Sequence, residues 1–140
     1  METPKIFEGG KYFDERGCLI FNNNFNASEI KRIYCIENKD TNFIRGWTGH
    51  KIEQRWFSAI HGSFVIKLIK IDNWEKPLKS SYILKFNIDS DNLNVLHVPS
   101  GYASAIQAKK ENSKLLIMAD YSVGEIEDDF RFPIDYFENL

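Results

Sequence analysis

The clearest pattern along the chain is an alternation of apolar and polar residues with a period of two. It is strongest in Gln54–Ile60, where Trp56 and Ile60 fall on the same side of an extended chain. A turn at Gly62 separates this segment from the apolar run Phe64–Ile71. Successive side chains of a strand point to opposite faces, so a period of two predicts β-strands.

Further strands are predicted where β-branched and aromatic residues cluster between turn sequences. These segments are Tyr12–Phe13, Cys18–Phe21, Lys31–Ile36, Tyr82–Ile88, Val95–Val98, Ala103–Ala108 and Leu115–Tyr121. Turns are expected at Asp14–Gly17, Asn38–Asp40 and Pro99–Gly101. Many short strands with turns between them, and no convincing helical period before residue 122, predict an all-β sandwich or barrel.

The C-terminal tail differs from the rest of the chain. It is acidic over Glu125–Asp129, and then aromatic up to Pro133. The acidic run is expected to be a solvated face. We expect a short helical or irregular tail that covers one end of a sheet or contacts a partner chain.

Composition restricts the class of protein. The length of 140 residues is that of one domain, here residues 1–140, and the net charge of −2 gives no basic surface for nucleic acid or anionic membrane. No apolar run approaches the roughly 18 residues of a membrane span. The segment Met1–Lys5 lacks the layout of a signal peptide, so a cytoplasmic protein is expected.

Cys18 and Cys35 lie in apolar context and are expected to be buried free thiols.

Two short runs carry the candidate chemistry. The run Arg45–Lys51 contains a cation, the imidazole of His50 and a second cation in a loop-like stretch. This combination suits a phosphorylated ligand held beside a general base, because a guanidinium can donate two parallel hydrogen bonds to the oxygens of a diphosphate. Arg45 could instead pair with Glu53. The run Val98–Ser104 is the expected partner of the first.

Together the two runs resemble the paired signatures of the cupin superfamily, whose fold is a double-stranded β-helix, or jelly roll. The first signature corresponds to Thr48-Gly49-His50, then Gln54, then Gly62, and the second to Pro99–Ser104. A metal-binding cupin has histidine or glutamate at four positions that are here Thr48, His50, Gln54 and Ser104. Zinc and iron sites need three or four converging ligands, so a metal-free cupin without cofactor is expected.

Within that superfamily the chain resembles the RmlC-like sugar-nucleotide enzymes. These are the dTDP-4-keto-6-deoxyhexose 3,5-epimerases and 3,4-ketoisomerases, and the similarity extends from Asp14–Gly17 to Asp128–Arg131. The resemblance implies that Arg45 contacts the nucleotide diphosphate, His50 transfers a proton, and Tyr34 and Tyr102 line the sugar pocket. It also implies a role in deoxysugar or surface-glycan biosynthesis.

The chain departs from the epimerase pattern in two places. The epimerase base would fall at Thr48, whose hydroxyl is not a base near pH 7, and the tyrosine acid has no clear counterpart because Ile117–Ala119 occupies its place. The length also favours the ketoisomerases. A ketoisomerase that works through His50 is therefore the preferred interpretation.

The candidate site residues fall into two groups. The catalytic candidates are His50 and Tyr34. The substrate-binding candidates are Arg45, Trp47, Thr48, Gln54, His97, Tyr102 and Ser104. Three of these have structural alternatives: Trp47 is a core or dimer contact, Gln54 begins a strand, and His97 is a hydrogen-bonded core residue instead of a pocket wall.

Three hypotheses about function follow. The first is a homodimeric isomerase, since short edge strands need covering. The second is a non-catalytic cupin that binds a sugar nucleotide or regulates a glycan-synthesis partner. The third is a metal-dependent cupin that uses His50 and His97.

Overall fold

A computed structural model describes residues 2–138, which form twelve β-strands and no helix. The strands are β1 Lys5–Phe7, β2 Gly10–Asp14, β3 Gly17–Phe21, β4 Arg32–Ile36, β5 Ile44–His50, β6 Arg55–His61, β7 Ser63–Lys70, β8 Leu84–Asp89, β9 Val95–Val98, β10 Tyr102–Ala108, β11 Lys114–Ala119 and β12 Phe130–Arg131. The predicted all-β class is confirmed. Over residues 2–138, no helix that could cross a membrane is found.

Ten of the strands form two antiparallel sheets of five. The first has the order β1-β9-β6-β11-β4 and the second the order β12-β5-β10-β7-β8. Strands distant in sequence, such as β5 and β10, are neighbours, as expected for a jelly roll. The hairpin β2–β3 forms a separate two-stranded sheet. Its turn is the predicted one, with Asp14 accepting a hydrogen bond from the backbone N–H of Arg16.

The main core lies between the two sheets. Alternate residues of β6, β7 and β10 form it, among them Phe57, Ile66, Leu68 and Ile106. The intervening residues face outward and are buried by two smaller clusters. On the second sheet, Trp47, Ile69 and Ala103 pack against Phe137 of the tail. On the first sheet, Trp56, Val95 and Met118 pack against Phe7, Phe25 and Ile30.

The tail therefore covers the outer face of the second sheet. It contains no helix within residues 122–138; apart from the two-residue strand β12 it is irregular. The helical alternative is wrong: beyond β12 the tail consists of turns and bends, and aromatic contacts hold it against the sheet. Phe137 packs edge-on against Trp47, with ring centroids 5.2 Å apart.

Two expectations about local structure are corrected. The stretch that includes His50 is not a loop but the strand β5, which is paired on both sides by β10 and β12. Cys18 and Cys35 are free, as expected, but exposed. The reason is their location: Cys18 lies on the separate hairpin, and Cys35 lies on β4, the edge strand of the first sheet.

A bulge in β5 changes which residues face the interior. Thr48 pairs with Ser104 and Arg45 with Ile106, so three steps along β5 match two steps along β10. In a regular strand Arg45 and Thr48 would point to opposite faces. The extra residue in β5 restores them to the same face, which is how a bulge redirects a side chain. Arg45 consequently joins Thr48 and His50 on the inner side of the sheet.

The turn glycine between β6 and β7 gives a test of the packing. Gly62 has φ of 75° and a methyl group there would overlap Ser113 Oγ and approach Ser113 Cβ to 2.8 Å. Gly124 has a similar φ of 78° with nothing within 4 Å. Gly124→Ala should cost about 1 kcal/mol, the backbone term alone. Gly62→Ala should cost roughly 1–3 kcal/mol more because of the overlap.

Urea unfolding of the two variants and the parent measures this difference. Because the two glycines share nearly the same φ, the backbone cost cancels in the comparison. Equal free energies of unfolding for Gly62→Ala and Gly124→Ala would contradict the tight approach of Ser113 to the turn.

Candidate active site

A cavity of about 580 Å³ opens between the two sheets, at the end where β4, β5 and β6 meet the tail. Five of the candidate residues line it: Tyr34, Arg45, Thr48, His50 and Ser104. His50 and Arg45 are thus in the same cavity. Whether each residue acts on a substrate stays a prediction.

The other four candidates lie outside the cavity lining. Trp47 points to the outer face of the second sheet and is 1% exposed. Tyr102 pairs with His50 across the sheet, but its ring is buried in the main core, with Lys70 Nζ 5.1 Å from the ring centroid. The structure corrects the expectation that these side chains line the pocket. For Trp47 the alternative of a core contact is the one observed.

His97 and Gln54 belong to a hydrogen-bonded chain on the outer side of the first sheet. Gln54 Nε2 donates to Asp120 Oδ2 at 3.1 Å, and since a carboxylate can only accept, the amide oxygen must face His97. That oxygen lies 2.6 Å from His97 Nε2, which therefore carries the proton. The His97 ring also stacks on Trp56 at 4.9 Å. His97 is a core histidine and not a pocket wall.

His50 is fixed in the opposite tautomer. Its Nδ1 lies 2.8 Å from the backbone carbonyl oxygen of Asp128, which can only accept a hydrogen bond. Nδ1 therefore carries the proton, and Nε2 keeps a lone pair. Among the residues the structure describes, none is hydrogen-bonded to Nε2. An imidazole held in this way can accept a proton from a ligand in the cavity.

The charged groups around His50 come from three elements. Glu53 Oε2 lies 3.5 Å from His50 Nδ1 and 2.8 Å from Arg55 Nη2. Burial and the positive charge of Arg55 lower the pKa of His50, while the Asp128 carbonyl and the charges of Glu53 and Asp128 oppose that shift. The lowering prevails, so His50 is neutral near pH 7, the form a general base requires.

His50, Glu53 and Asp128 also place potential metal ligands within 4.8 Å of one another. Asp128 accepts three backbone N–H groups, Glu53 Oε2 is paired with Arg55, and His50 Nδ1 donates to a carbonyl. The set therefore does not offer the three free, converging ligand atoms that a zinc or iron site needs. His97 does not line the cavity with His50, so the two histidines do not form the metal site of the third hypothesis.

Four arginines surround the cavity: Arg32, Arg45, Arg55 and Arg131. Arg45 Nε donates to Asn38 Oδ1 at 3.3 Å, and the expected alternative pairing with Glu53 is wrong because Arg55 occupies that carboxylate. Arg32 Nε is buried and has no hydrogen-bond partner within residues 2–138. The cavity therefore presents guanidinium groups that suit an anionic ligand.

Sequence reasoning missed Arg32, Glu53, Arg55, Asp128 and Arg131 as cavity residues. Arg55 could have been identified from the sequence, because Arg55 and Phe57 share a face of β6 and Phe57 is a core residue. Asp128 carries no local signal, since it reaches His50 from 78 residues further along the chain.

Comparisons with known proteins agree with this fold. The family model FdtA, described as WxcM-like, C-terminal, matches residues 2–137. The two five-stranded antiparallel sheets form a jelly roll, and the fold is that of the RmlC-like cupins. Within that class, the chain belongs to the FdtA family (WxcM-like, C-terminal). Comparison with curated protein sequences gives no match.

Three solved structures illustrate the similarity. One is a histidine-to-asparagine mutant of the 3,4-ketoisomerase QdtA from Thermoanaerobacterium thermosaccharolyticum in complex with TDP-4-keto-6-deoxyglucose. It is 21% identical to this chain with a TM-score of 0.72, and the match covers 97% of this chain and 92% of that one. Another is the TDP-quinovose 3,4-ketoisomerase WlaRB from Campylobacter jejuni. It is 23% identical with a TM-score of 0.69, and the match covers 99% of this chain and 100% of that one.

The third is a dTDP-4-dehydrorhamnose 3,5-epimerase from Bacillus anthracis with TDP and PPi bound. It is 16% identical with a TM-score of 0.70, over 90% of this chain and 76% of that one. Ketoisomerases and epimerases thus share this fold, and the identities are too low to carry residue roles from one protein to another.

The two buried histidines predict how stability depends on pH. Burial lowers the pKa of both His50 and His97. The unfolded chain therefore takes up protons at a higher pH than the folded one. The contribution of the two neutral, buried histidines to the free energy of unfolding is complete above the pKa of unfolded histidine, about 6.5. It is lost as the pH falls through the folded pKa values. The free energy of unfolding should decrease from about pH 7 to about pH 5.5.

Urea denaturation at several pH values measures the slope. The slope should become smaller in His50→Gln and in His97→Gln, because each variant removes one group that binds a proton more readily in the unfolded chain. A free energy of unfolding that increases as the pH falls through this range would show that the shifts have the opposite sign.

Proposed function

We propose that this protein is a nucleotide-sugar 3,4-ketoisomerase that works by metal-free proton transfer. The observation that carries the proposal is the placement of His50 in a cavity with Arg45, with Nδ1 protonated and Nε2 free to accept a proton. It is further supported by the ketoisomerase QdtA, a protein of the same fold whose structure contains TDP-4-keto-6-deoxyglucose.

The reaction needs one base and no redox partner. In a 4-keto sugar the C3–H bond is acidified by the neighbouring ketone, and Nε2 of His50 removes this proton to give an enediolate. The imidazolium then returns a proton to C4, and a hydroxyl proton passes from O3 to O4. The C3–H and O3–H bonds are broken and C4–H and O4–H are formed, so the product is an isomer. Glu53, 3.5 Å from Nδ1, stabilises the imidazolium.

Arg45 is the proposed contact of the nucleotide diphosphate. Its planar guanidinium can donate two parallel hydrogen bonds to phosphate oxygens, and its Nε contact with Asn38 fixes the side chain beforehand.

Tyr34 lines the cavity beside Arg32, whose guanidinium lies 5.4 Å from the tyrosine ring centroid. We assign Tyr34 to contact with the sugar and keep it as a catalytic candidate. Thr48 and Ser104, opposite each other across the sheet, are proposed to hydrogen-bond the substrate.

The protein is also proposed to be a homodimer. The hairpin β2–β3 exposes Tyr12, Phe13 and Leu19, and the edge strand β4 exposes Ile33. An isolated two-stranded hairpin is marginally stable, and an unpaired edge is a site for strand addition. A second copy of the chain would cover both surfaces.

We further propose that the protein is a single-domain cytoplasmic enzyme of deoxysugar or surface-glycan biosynthesis.

Proton exchange with solvent tests the catalytic assignment. When TDP-4-keto-6-deoxyglucose is incubated with the protein in deuterated water, NMR should show deuterium at the carbon next to the ketone and a 3-keto isomer. His50→Asn should reduce exchange by at least about 100-fold, the usual contribution of a general base. His61→Asn is the matched control, because His61 is exposed at the end of β6 and outside the cavity lining.

The same variants separate catalysis from binding. His50→Asn should leave the Kd for TDP nearly unchanged, whereas Arg45→Ala should raise it by roughly tenfold, as expected for the loss of a charged hydrogen bond. Wild-type protein that binds TDP without any exchange would contradict the enzymatic proposal and favour a non-catalytic binder.

Sedimentation measures the oligomeric state. Wild-type protein should sediment as a dimer, and Tyr12→Asp should dissociate it by placing a charge in the contact. Tyr82→Asp is the matched control, because Tyr82 is also an exposed tyrosine, 80% accessible, but lies in the loop before β8. A monomeric wild type, or equal effects of the two substitutions, would contradict this interface.

A further inference from the structure

The residue that holds His50 in place comes from the distant C-terminal tail. We propose that Asp128 is a positioning residue, which fixes the His50 ring through its carbonyl oxygen and the following backbone through its carboxylate. This inference rests on the proposed function, since it assigns the support of the proposed base. Its carboxylate is occupied by backbone N–H groups, so its role is assigned to the support of His50 and not to the reacting atoms.

The carboxylate of Asp128 organises the bend after β5. Oδ1 accepts the N–H of Lys51 at 2.9 Å, and Oδ2 accepts those of Ile52 and Glu53 at 2.8 Å and 2.7 Å. Asp128 is 5% exposed, so these bonds are largely shielded from water. Buried N–H groups without a partner are costly, and a charged acceptor binds them strongly. The carboxylate therefore determines the path of the chain that leaves His50.

The carbonyl oxygen of the same residue fixes the imidazole. It accepts the Nδ1–H of His50 at 2.8 Å, which holds both the tautomer and the ring orientation. One residue thus contacts the ring of His50 and the backbone of the three residues that follow it. The ring cannot rotate or change tautomer without loss of this bond.

The position of Asp128 is itself fixed by β12. Phe130 pairs with Gly49 and Arg131 with Thr48, so the tail is bonded to the strand that carries His50. The Phe130 ring also packs on Trp74, with centroids 4.8 Å apart. Arg131 lines the cavity as well. Docking of the tail therefore completes the cavity wall and orients the base in one step.

Asparagine at this position tests the role of the carboxylate with the smallest change in shape. Three N–H donors converge on two carboxylate oxygens, whereas an amide offers one oxygen and one NH₂ group. In Asp128→Asn at least one backbone donor must face another donor, so the bend and the His50 ring should shift. Asp89→Asn is the matched control, because Asp89 also accepts a backbone N–H in a turn, but on β8 and outside the cavity lining.

The readout is the tautomer of His50 in ¹⁵N NMR spectra, together with kcat and KM for the keto sugar. The proposal expects His50 to be in the Nδ1–H form in wild-type protein and His97 in the Nε2–H form. It expects Asp128→Asn to give a mixture of His50 tautomers and to lower kcat by roughly 10- to 100-fold, the range seen when a supporting contact of a catalytic group is lost. KM should change by less than about threefold, since the Asp128 carboxylate oxygens are already bonded to backbone N–H groups and are not offered to the substrate.

Several outcomes would overturn the proposal. They are an Nε2–H His50 in wild-type protein, an unchanged tautomer and kcat in Asp128→Asn, or the same loss of kcat in Asp89→Asn. The wild-type spectrum decides the point even if a variant fails to fold. If wild-type protein does not isomerise the sugar but has the expected His50 tautomer that Asp128→Asn disturbs, the proposed function fails and the positioning role stands.

Discussion

The site depends on one extra residue in the strand β5. Because three steps along β5 match two steps along β10, the side chains of Arg45 and Thr48 lie on the same face despite their odd spacing. Arg45 thereby lines the cavity with His50, while Trp47 is directed into the outer cluster under the tail. A regular strand would place the guanidinium on the outside, away from the imidazole. The bulge is therefore what combines an anion-binding group and a base in one cavity.

Two histidines in this protein show how the partner of one nitrogen determines the chemistry of the other. His97 Nε2 donates to Gln54, which is oriented by Asp120, and the ring stacks on Trp56. His50 instead donates from Nδ1 to the Asp128 carbonyl and lines the cavity, and among residues 2–138 its Nε2 has no hydrogen-bond partner. Burial lowers the pKa of both. Only the second arrangement, among the histidines described, leaves a base beside a space that a substrate can enter.

The strand pattern was predictable from the sequence because a period of two is a local property of the chain. The segment before Gly62 and the segment after it, for example, became β6 and β7 as expected. His50 and Arg45 were predictable as a pair because the cupin-like motif contains both. Tyr102 was not, since whether an inward-facing ring enters a cavity or the core depends on its neighbours across the sheets.

The support of His50 could not be predicted for a similar reason. Asp128 lies in an acidic run that looks like a solvated face, yet the carboxylate is buried by contacts with a bend that is distant in sequence. Such long-range pairs leave no periodic or motif signal in a single chain.

A crystal structure of the protein in complex with TDP would show whether Arg45 and His50 face one ligand. We expect diphosphate oxygens within about 3 Å of the Arg45 guanidinium, with His50 Nε2 facing the position where the sugar would be attached. TDP bound outside this cavity, or inside it with the diphosphate away from Arg45 and His50, would contradict this expectation.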